Sequence, residues 1–252
     1  MDVALVTVGD ELLAGDTENT NATWLCRRLT DRGVTVTRVL TIPDDRDVIA
    51  EWVREFSTAF DAVIVTGGLG GTPDDVTKAA VADALDRELV VDDEVREGIV
   101  DKARAYAEQY PDLADAYDLD VDFDAQAAVP EDARPLVTSE SFGPGFVAAN
   151  VYAFPGIPDE LHAMFEVVVE EFDGSVVSET LRTPAPEGAL NDRLTGVRER
   201  FGVAVGSYPG AGREPTRIKL SGDPEAVDEA AAWLRERIDV ADAEPAATGE
   251  EG

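Results

Sequence analysis

Glycines and carboxylates occur together in one short stretch of this chain, residues 66–77. Asp74 and Asp75 stand just behind a glycine-rich segment, and the stretch follows an apolar run at 62–65. This order is typical of a strand, a turn and a helix. Glycine lets the backbone approach a ligand closely, and the free N–H groups at a helix N-terminus attract anions. The stretch therefore predicts a phosphate-binding turn, formed by Thr66, Gly67, Gly68, Gly70, Gly71, Thr72 and Thr77.

The helix behind this turn is expected to begin with a capping box. Thr72 is predicted to be its cap, Pro73 its first residue, and Asp75 the partner that returns a hydrogen bond to the cap. A purely structural turn is the alternative, because the spacing matches neither the P-loop nor the dinucleotide fingerprint. Carboxylates beside a phosphate repel it unless a hard cation lies between them. We therefore expect Mg²⁺ or another divalent cation near Asp74 and Asp75.

Strands and helices alternate along the part of the chain that contains this turn. Apolar runs at 3–8, 34–40 and 62–65 predict three strands, and an amphipathic pattern follows each, the clearest at 48–56. This alternation implies right-handed crossovers and a parallel sheet with helices on both faces. The predicted fold class is α/β, a three-layer domain with a mostly parallel sheet.

Polar residues follow each of the three strands, and parallel strands present their carboxyl ends to ligands. The loops concerned are 9–21, 42–45 and 67–75. For Asn19 and Asp44, capping of a helix is the alternative role. The candidates for ligand contact in these loops are Gly9, Asp10, Glu11, Asn19, Asn21, Asp44, Asp74 and Asp75.

The rest of the chain predicts further elements and a second domain. A long acidic helix is expected at 92–110, a loop or short helix at 111–124, and strands at 135–138 and 145–154, before a helix at 159–172. A βαββα pattern then occupies 176–238. We therefore divide the chain into three parts: a first domain at 1–172, a small α+β domain at 175–240 and a disordered acidic tail at 241–252.

The composition is strongly acidic, with 53 Asp and Glu residues against 21 Lys and Arg and a net charge of −32. Because salt screens such self-repulsion, we expect a salt-adapted cytoplasmic protein. Nucleic acid and anionic membranes should be repelled, and no apolar stretch is long enough to span a membrane. Cys26 and His162 are the only residues of their kinds, and both are expected to be structural. Lys78 should contact phosphate or form a surface salt bridge.

Several motifs follow one another along residues 1–240. They are Gly9-Asp10-Glu11-Leu12-Leu13-x-Gly15, Asn19-x-Asn21, Thr66-Gly67-Gly68-Leu69-Gly70 with Asp74-Asp75-x-Thr77, Gln126-Ala127-x-x-Pro130, Pro144-Gly145-Phe146, Pro155-Gly156-Ile157-Pro158-x-Glu160 and Val205-Gly206-Ser207-Tyr208-Pro209. In this combination the sequence resembles the molybdopterin-binding (MoaB/Mog-like) domain family, in its CinA (competence/damage-inducible protein A) branch. The second domain resembles the small KH-like domain of that branch.

The resemblance implies a ligand with a nucleotide phosphoanhydride or a pterin phosphate such as molybdopterin, and it implies Asp44 and Asp75 as the functional carboxylates. The CinA branch is associated with hydrolysis of ADP-ribose and related dinucleotide pyrophosphates, and the MoaB/Mog branch with adenylylation of molybdopterin. The sequence departs from the family at Gly71, where proline is usual. We do not expect the nicotinamide-nucleotide amidase activity of full-length CinA proteins, whose domain follows this region.

Three functions therefore stay open. The first is metal-dependent hydrolysis of a nucleotide pyrophosphate, with the ion held by Asp75 together with Asp44 or Asp74. The second is binding or adenylylation of molybdopterin, and the third is a non-catalytic nucleotide-binding module. A homo-oligomer, either a dimer or a trimer, is expected.

The second domain is expected at a subunit interface rather than on RNA. Arg213, Arg217 and Lys219 form a local basic spot, which is too small for the basic groove that RNA requires.

The acidic composition generates a first prediction about stability. Raising KCl from about 0.1 M to 2 M should increase the melting temperature by several degrees, because screening reduces repulsion among the carboxylates. Differential scanning calorimetry measures this, with sucrose of equal osmolality as the uncharged control. A melting temperature that is unchanged or lower in KCl would contradict salt adaptation.

Overall fold

The computed structural model describes residues 1–111, 122–212 and 214–241. The chain divides into two compact units, with the division between Asp173 and Gly174. Most of the predicted loop or short helix at 111–124 lies outside the described residues. So do Arg213 and all but the first residue of the predicted tail.

The first unit is built on a six-stranded sheet in the order β2-β1-β3-β8-β7-β6. Strands β2, β1, β3 and β8 are parallel to one another. Strand β7 is antiparallel to both of its neighbours, β8 and β6. Short strands β4 and β5 pair separately. The eight strands are β1 Asp2–Val8, β2 Thr35–Ile42, β3 Ala62–Thr66, β4 Leu89–Val91, β5 Ala128–Pro130, β6 Arg134–Leu136, β7 Gly145–Ala148 and β8 Val151–Phe154.

Helices connect these strands and cover the sheet. They are α1 Asp10–Ala14, α2 Thr20–Asp31, α3 Arg46–Ala59, α4 Thr77–Ala84, α5 Asp93–Gln109, α6 Phe123–Ala127 and α7 Pro158–Val168. The predicted α/β class with a mostly parallel sheet is confirmed. None of the described helices is long and apolar enough to cross a membrane.

Side chains alternate between the two faces of the sheet and form two apolar cores. From β1, Ala4, Val6 and Val8 pack with α3 and α4, and Val3 and Leu5 pack with α2 and α7. Because both faces are covered, β1 is buried along nearly its whole length, as its continuous apolar run indicates.

Two sequence expectations need correction in this unit. The loop expected at 9–21 contains the short helix α1. The stretch 145–154 is a hairpin, because Ala149 adopts a left-handed conformation (φ 52°) between β7 and β8. The side chain of Asn150 fixes this turn by donating hydrogen bonds to the carbonyls of Ser57 and Phe60, both at 3.0 Å.

The second unit contains β9 Val177–Thr183, α8 Asn191–Phe201, β10 Ala204–Tyr208, β11 Thr216–Gly222 and α9 Pro224–Arg235. Its sheet is antiparallel in the order β10-β11-β9. One apolar core joins the sheet to both helices, through residues such as Val197, Ile218 and Leu234. The predicted α+β class is confirmed.

The buried position of Leu5 generates a prediction about the core. Leu5→Ala should lower the free energy of unfolding of the first unit by about 2–5 kcal/mol, because it removes apolar contacts and leaves a cavity. Val39→Ala, at a residue that is 48% exposed on β2, is the control and should cost about 0.5 kcal/mol or less. Urea titration measures both. Equal losses would contradict the assignment of the core.

Candidate functional site

A cleft of about 600 Å³, the first cleft, lies at the carboxyl ends of the parallel strands. Most of the predicted ligand-contact residues line it: Gly9, Glu11, Asn19, Asn21, Asp44, Thr66, Gly67, Gly68, Gly70, Gly71, Asp74 and Asp75. Asp10, Thr72 and Thr77 do not line it. The loops after three strands thus meet at one edge of the sheet, as their order in the chain predicted.

The glycine loop, residues 67–72, lies unusually close to the sheet. Gly67 has φ +96°, and a Cβ atom there would stand 2.3 Å from the carbonyl oxygen of Val8. Gly68 has φ +65°, and a Cβ atom there would stand 2.4 Å from the buried hydroxyl of Thr77. Both positions therefore require glycine.

The predicted helix cap is wrong. Helix α4 begins at Thr77, so Thr72 and Pro73 precede it. The reason is that the N–H of Thr77 donates to the carbonyl of Gly68 (3.1 Å), which fixes the first helical turn against the glycine loop. Asp75 still bonds back to Thr72: its Oδ2 accepts from the Thr72 N–H at 2.9 Å and from the hydroxyl at 2.6 Å. These bonds hold the Asp75 carboxylate in a closed turn.

Asp44 does not cap the helix that follows it. Asp45 does so instead, accepting from the N–H groups of Asp47 and Val48 at 3.0 and 3.1 Å. Asp44 Oδ2 accepts from the N–H of Asp10 at 2.8 Å, at the start of α1. The Asp44 side chain therefore ties the loop after β2 to the loop after β1.

The surroundings of Asp44 disfavour its negative charge. Burial raises the pKa of its carboxyl group above the ordinary value, and the hydrogen bond from the Asp10 N–H opposes this rise. The nearby charges of Asp10, Glu11 and Asp74 raise the pKa further. Three carboxylates thus repel that of Asp44, and two of them, Glu11 and Asp74, also line the first cleft.

The two asparagines have different roles. Asn19 caps α2, accepting from the N–H of Ala22 at 3.1 Å, and donates to the hydroxyl of Thr7 at 2.9 Å. Capping of a helix, the alternative role considered for Asn19, therefore explains the position of its side chain. Asn21 donates to the carbonyl of Gly156 at 2.7 Å, and its buried Oδ1 has no hydrogen-bond partner among the described residues.

Sequence reasoning did not place several residues that line this cleft. Pro155 and Gly156 follow β8, and β8 pairs in parallel with β3, so its end lies at the same edge of the sheet. Gln126, Phe142 and Glu160 also line the cleft, and burial raises the pKa of the Glu160 carboxyl group. All of these residues except Phe142 belong to motifs that were identified in the sequence, but the pairing of β8 with β3 could not be read from it.

The departure at Gly71 lies next to the side chain of Gln126. A Cβ atom on Gly71 would stand 2.0 Å from Nε2 of Gln126, whose Oε1 lies near Gly143. This amide is the far end of a flexible side chain, so a larger residue at position 71 would require the amide to move.

Lys78 forms no surface salt bridge, one of its two expected roles, with any residue that the structure describes. The residue is 6% exposed, and its Nζ donates to the carbonyl of Gln126 at 2.7 Å and approaches that of Ala125 at 3.4 Å. Burial lowers the pKa of Lys78 to about 8, although the charge of Asp75 opposes the change. Lys78 therefore holds the backbone beneath Gln126 rather than facing the cleft.

The residues that line the first cleft give it a negative charge. Six acidic residues line it, and among the described residues no lysine or arginine does so; the acids are Glu11, Glu18, Asp44, Asp74, Asp75 and Glu160. In the described part of the chain, no three His, Cys, Asp or Glu residues are close enough to hold a metal ion by themselves. The donor set fits an ion such as Mg²⁺, which uses one or two carboxylates and takes its other ligands from phosphate and water.

Comparison with known proteins agrees with this architecture. Residues 4–174 match a family model described as "Probable molybdopterin binding domain", and residues 175–246 match one described as "FAD synthase, middle domain". A protein of Archaeoglobus fulgidus is 35% identical over 241 residues, which cover 94% of this chain and 98% of that protein.

CinA-like proteins are among the relatives. A CinA-like protein of Gemmatimonas aurantiaca is 37% identical over 258 residues, covering 94% of this chain but 58% of its own length. The crystal structure of the protein CinA of unknown function from Thermoplasma acidophilum superposes with a TM-score of 0.58 at 28% identity, over 69% of this chain and 99% of that one. The chain therefore belongs to the molybdopterin-binding (MoaB/Mog-like) domain family and is similar to its CinA-like members.

The buried ammonium of Lys78 generates a prediction about pH. In ¹⁵N-lysine NMR spectra, one ammonium group should titrate near pH 8, and its signal should be missing from Lys78→Met. Because the folded chain binds this proton less tightly than the unfolded chain, the free energy of unfolding should rise between about pH 8 and pH 10.5. Absence of any lysine that titrates near pH 8 would contradict the buried position.

Proposed function

We propose that the first cleft hydrolyses a nucleotide pyrophosphate such as ADP-ribose with the help of Mg²⁺ or another hard divalent cation. The observation that carries this proposal is a glycine loop next to several carboxylates, on a cleft wall to which none of the described residues adds a basic side chain. A phosphate ligand would be repelled there unless a cation accompanied it. The match of the second unit to the FAD synthase middle-domain model supports a nucleotide-related activity.

The glycine loop supplies the groups for phosphate binding. In the described part of the chain, the N–H groups of residues 68–71 donate no hydrogen bond. The N–H of Gly67 donates to the carbonyl of Phe154, and the N–H of Thr72 donates to the carboxylate of Asp75. These two N–H groups are therefore not assigned to the phosphate. Four adjacent free donors match the way backbone amides bind phosphate.

The carboxylates have separate tasks in this proposal. Asp75, held by Thr72, and Asp44 or Asp74 would hold the cation, which when bound neutralises charge on the phosphoryl group in the transition state. Glu11 and the free Oδ1 of Asn21 would orient the sugar or the attacking water. Phosphoryl transfer depends mainly on positioning and charge neutralisation, so a histidine base is not required.

Molybdopterin binding is the second candidate, favoured by the description of the matching family model. A pterin phosphate would use the same glycine loop. Competition between ADP-ribose and molybdopterin for the protein separates the two: displacement of ADP-ribose by a lower concentration of the pterin would reverse the order. We also propose a homo-oligomer, with the second unit serving assembly and with no nucleic acid partner.

The proposal predicts the effect of removing each carboxylate. Asp75→Asn and Asp44→Asn should each lower the rate of AMP release from ADP-ribose at least a hundredfold, in molar KCl with Mg²⁺, while keeping a side-chain oxygen for the hydrogen bonds of Thr72 and Asp10. Asp31→Asn, at an exposed residue near the end of α2, is the control and should retain the wild-type rate. Thermal melting checks that each variant is folded.

Two outcomes would contradict hydrolysis. One is the absence of AMP release from the wild-type protein, and the other is equal rates in wild type and Asp75→Asn. Binding of ADP-ribose without turnover would favour the third function, a non-catalytic nucleotide-binding module.

A further inference from the structure

Strand β4 places apolar side chains on the surface of an acidic protein. Its three residues, Leu89, Val90 and Val91, are 40%, 42% and 44% exposed. Charged residues adjoin the strand on both sides, at 87–88 and 92–93. None of the strand residues lines the first cleft, so the function proposed above gives no reason for their exposure.

One edge of β4 has backbone groups that are free to pair with another strand. Strand β4 pairs with β5 alone, and no other strand of the described residues joins this two-stranded sheet. Beside the strand, the N–H of Asp92 donates to the carbonyl of Ala127 at 3.3 Å. Because alternate residues of an antiparallel ladder bond to the partner strand, Val90 also faces β5, whereas Leu89 and Val91 face away. The N–H and carbonyl groups of Leu89 and Val91 therefore point to the open edge, where they bond to no residue that the structure describes.

This open edge differs from that of β2, which is the edge strand of the six-stranded sheet. Strand β2 carries Arg38 beside its exposed Val39, and a charged side chain on an edge opposes pairing with another chain. Strand β4 carries no charged residue. An open edge strand with apolar side chains accepts a further strand through main-chain hydrogen bonds.

We propose that β4 pairs with β4 of a second copy of the chain, in antiparallel orientation about a twofold axis at Val90. This register sets Leu89 of each copy opposite Val91 of the other, so the free N–H and carbonyl groups of both edges bond to each other. The two two-stranded sheets then become one sheet of four strands. The inference does not rest on the function proposed for the first cleft, and the surface is separate from the assembly role proposed for the second unit.

The charges beside β4 favour a second copy as the partner. In the proposed register, Arg87 of each copy stands opposite Asp93 of the other, and opposite charges in this arrangement attract. On the other side of the sheet, Glu88 stands opposite Asp92, and each copy carries a net charge of −32. Salt screens this repulsion, while the hydrogen bonds and the apolar contacts persist. Association should therefore strengthen as KCl increases, whereas a basic partner held by the acidic surface would be released.

Sedimentation equilibrium measures this association in the wild-type chain. The dissociation constant of the dimer should be roughly tenfold smaller in 2 M KCl than in 0.1 M KCl, because screening reduces the repulsion between the copies. A three-residue strand buries less surface than a standard interface, so we expect a value in the micromolar range.

Val90→Asp tests the register, because it sets two carboxylates face to face at the twofold axis. It should raise the dissociation constant in 2 M KCl roughly tenfold or more. Val39→Asp places the same charge on the edge of β2 and is the matched control, which should leave the constant unchanged. Both valines are exposed, and circular dichroism checks that each variant is folded.

Val90→Cys tests the geometry directly. In the proposed pair the two Cα atoms at position 90 lie about 4.5 Å apart, which is within the range for a disulfide. With copper–phenanthroline as catalyst and dissolved oxygen as oxidant, Val90→Cys should form a covalent dimer roughly tenfold faster than Val39→Cys. Both variants retain Cys26, so its contribution is the same in each.

Four results would overturn the proposal. The first is a wild-type chain that stays monomeric in 2 M KCl at about 0.3 mM, far above the micromolar range expected for a short interface. The second is an association that weakens as KCl increases, and the third is a dimer that Val90→Asp leaves unchanged. The fourth is equal rates of disulfide formation in Val90→Cys and Val39→Cys.

Discussion

The close approach of the strand ends is the constraint on which the first cleft depends. Hydrogen bonds continue beyond the parallel strands, from the N–H of Gly9 to the carbonyl of Ile42 and from the N–H of Gly67 to that of Phe154, both at 3.1 Å. At Gly67 the backbone lies so near Val8 that any side chain would collide with it. This contact fixes the position of the glycine loop at the end of the sheet, and the loop in turn positions Asp75.

Gathering carboxylates at this edge opposes folding, because their negative charges repel one another. The raised pKa of Asp44 reports burial and repulsion from three neighbouring acids. Elsewhere arginines pair with acids, as Arg46 does with Asp83, but no basic residue among those described lines the first cleft. Such an arrangement is typical of a functional site, where local repulsion is relieved when ligands bind.

Sequence periodicity predicted the parallel sheet and most of the residues at its edge, because those features depend on local order along the chain. Features that depend on distant contacts were missed. The pairing of β8 with β3 adds a fourth loop to the cleft, and Lys78 is buried by the segment around Gln126. The start of α4 was also predicted too early. The N–H of Thr77, the first residue of this helix, donates to the carbonyl of Gly68, which lies nine residues earlier in the chain.

The central claim is that nucleotide and cation occupy the first cleft together, so the most direct measurement is the thermodynamic coupling between them. Calorimetric titration of the α,β-methylene analogue of ADP-ribose, which resists cleavage at the pyrophosphate, should give at least tenfold tighter binding in molar KCl with Mg²⁺ than with EDTA. By linkage, the analogue should strengthen Mg²⁺ binding by the same factor. Equal affinity for the analogue in Mg²⁺ and in EDTA would contradict the account.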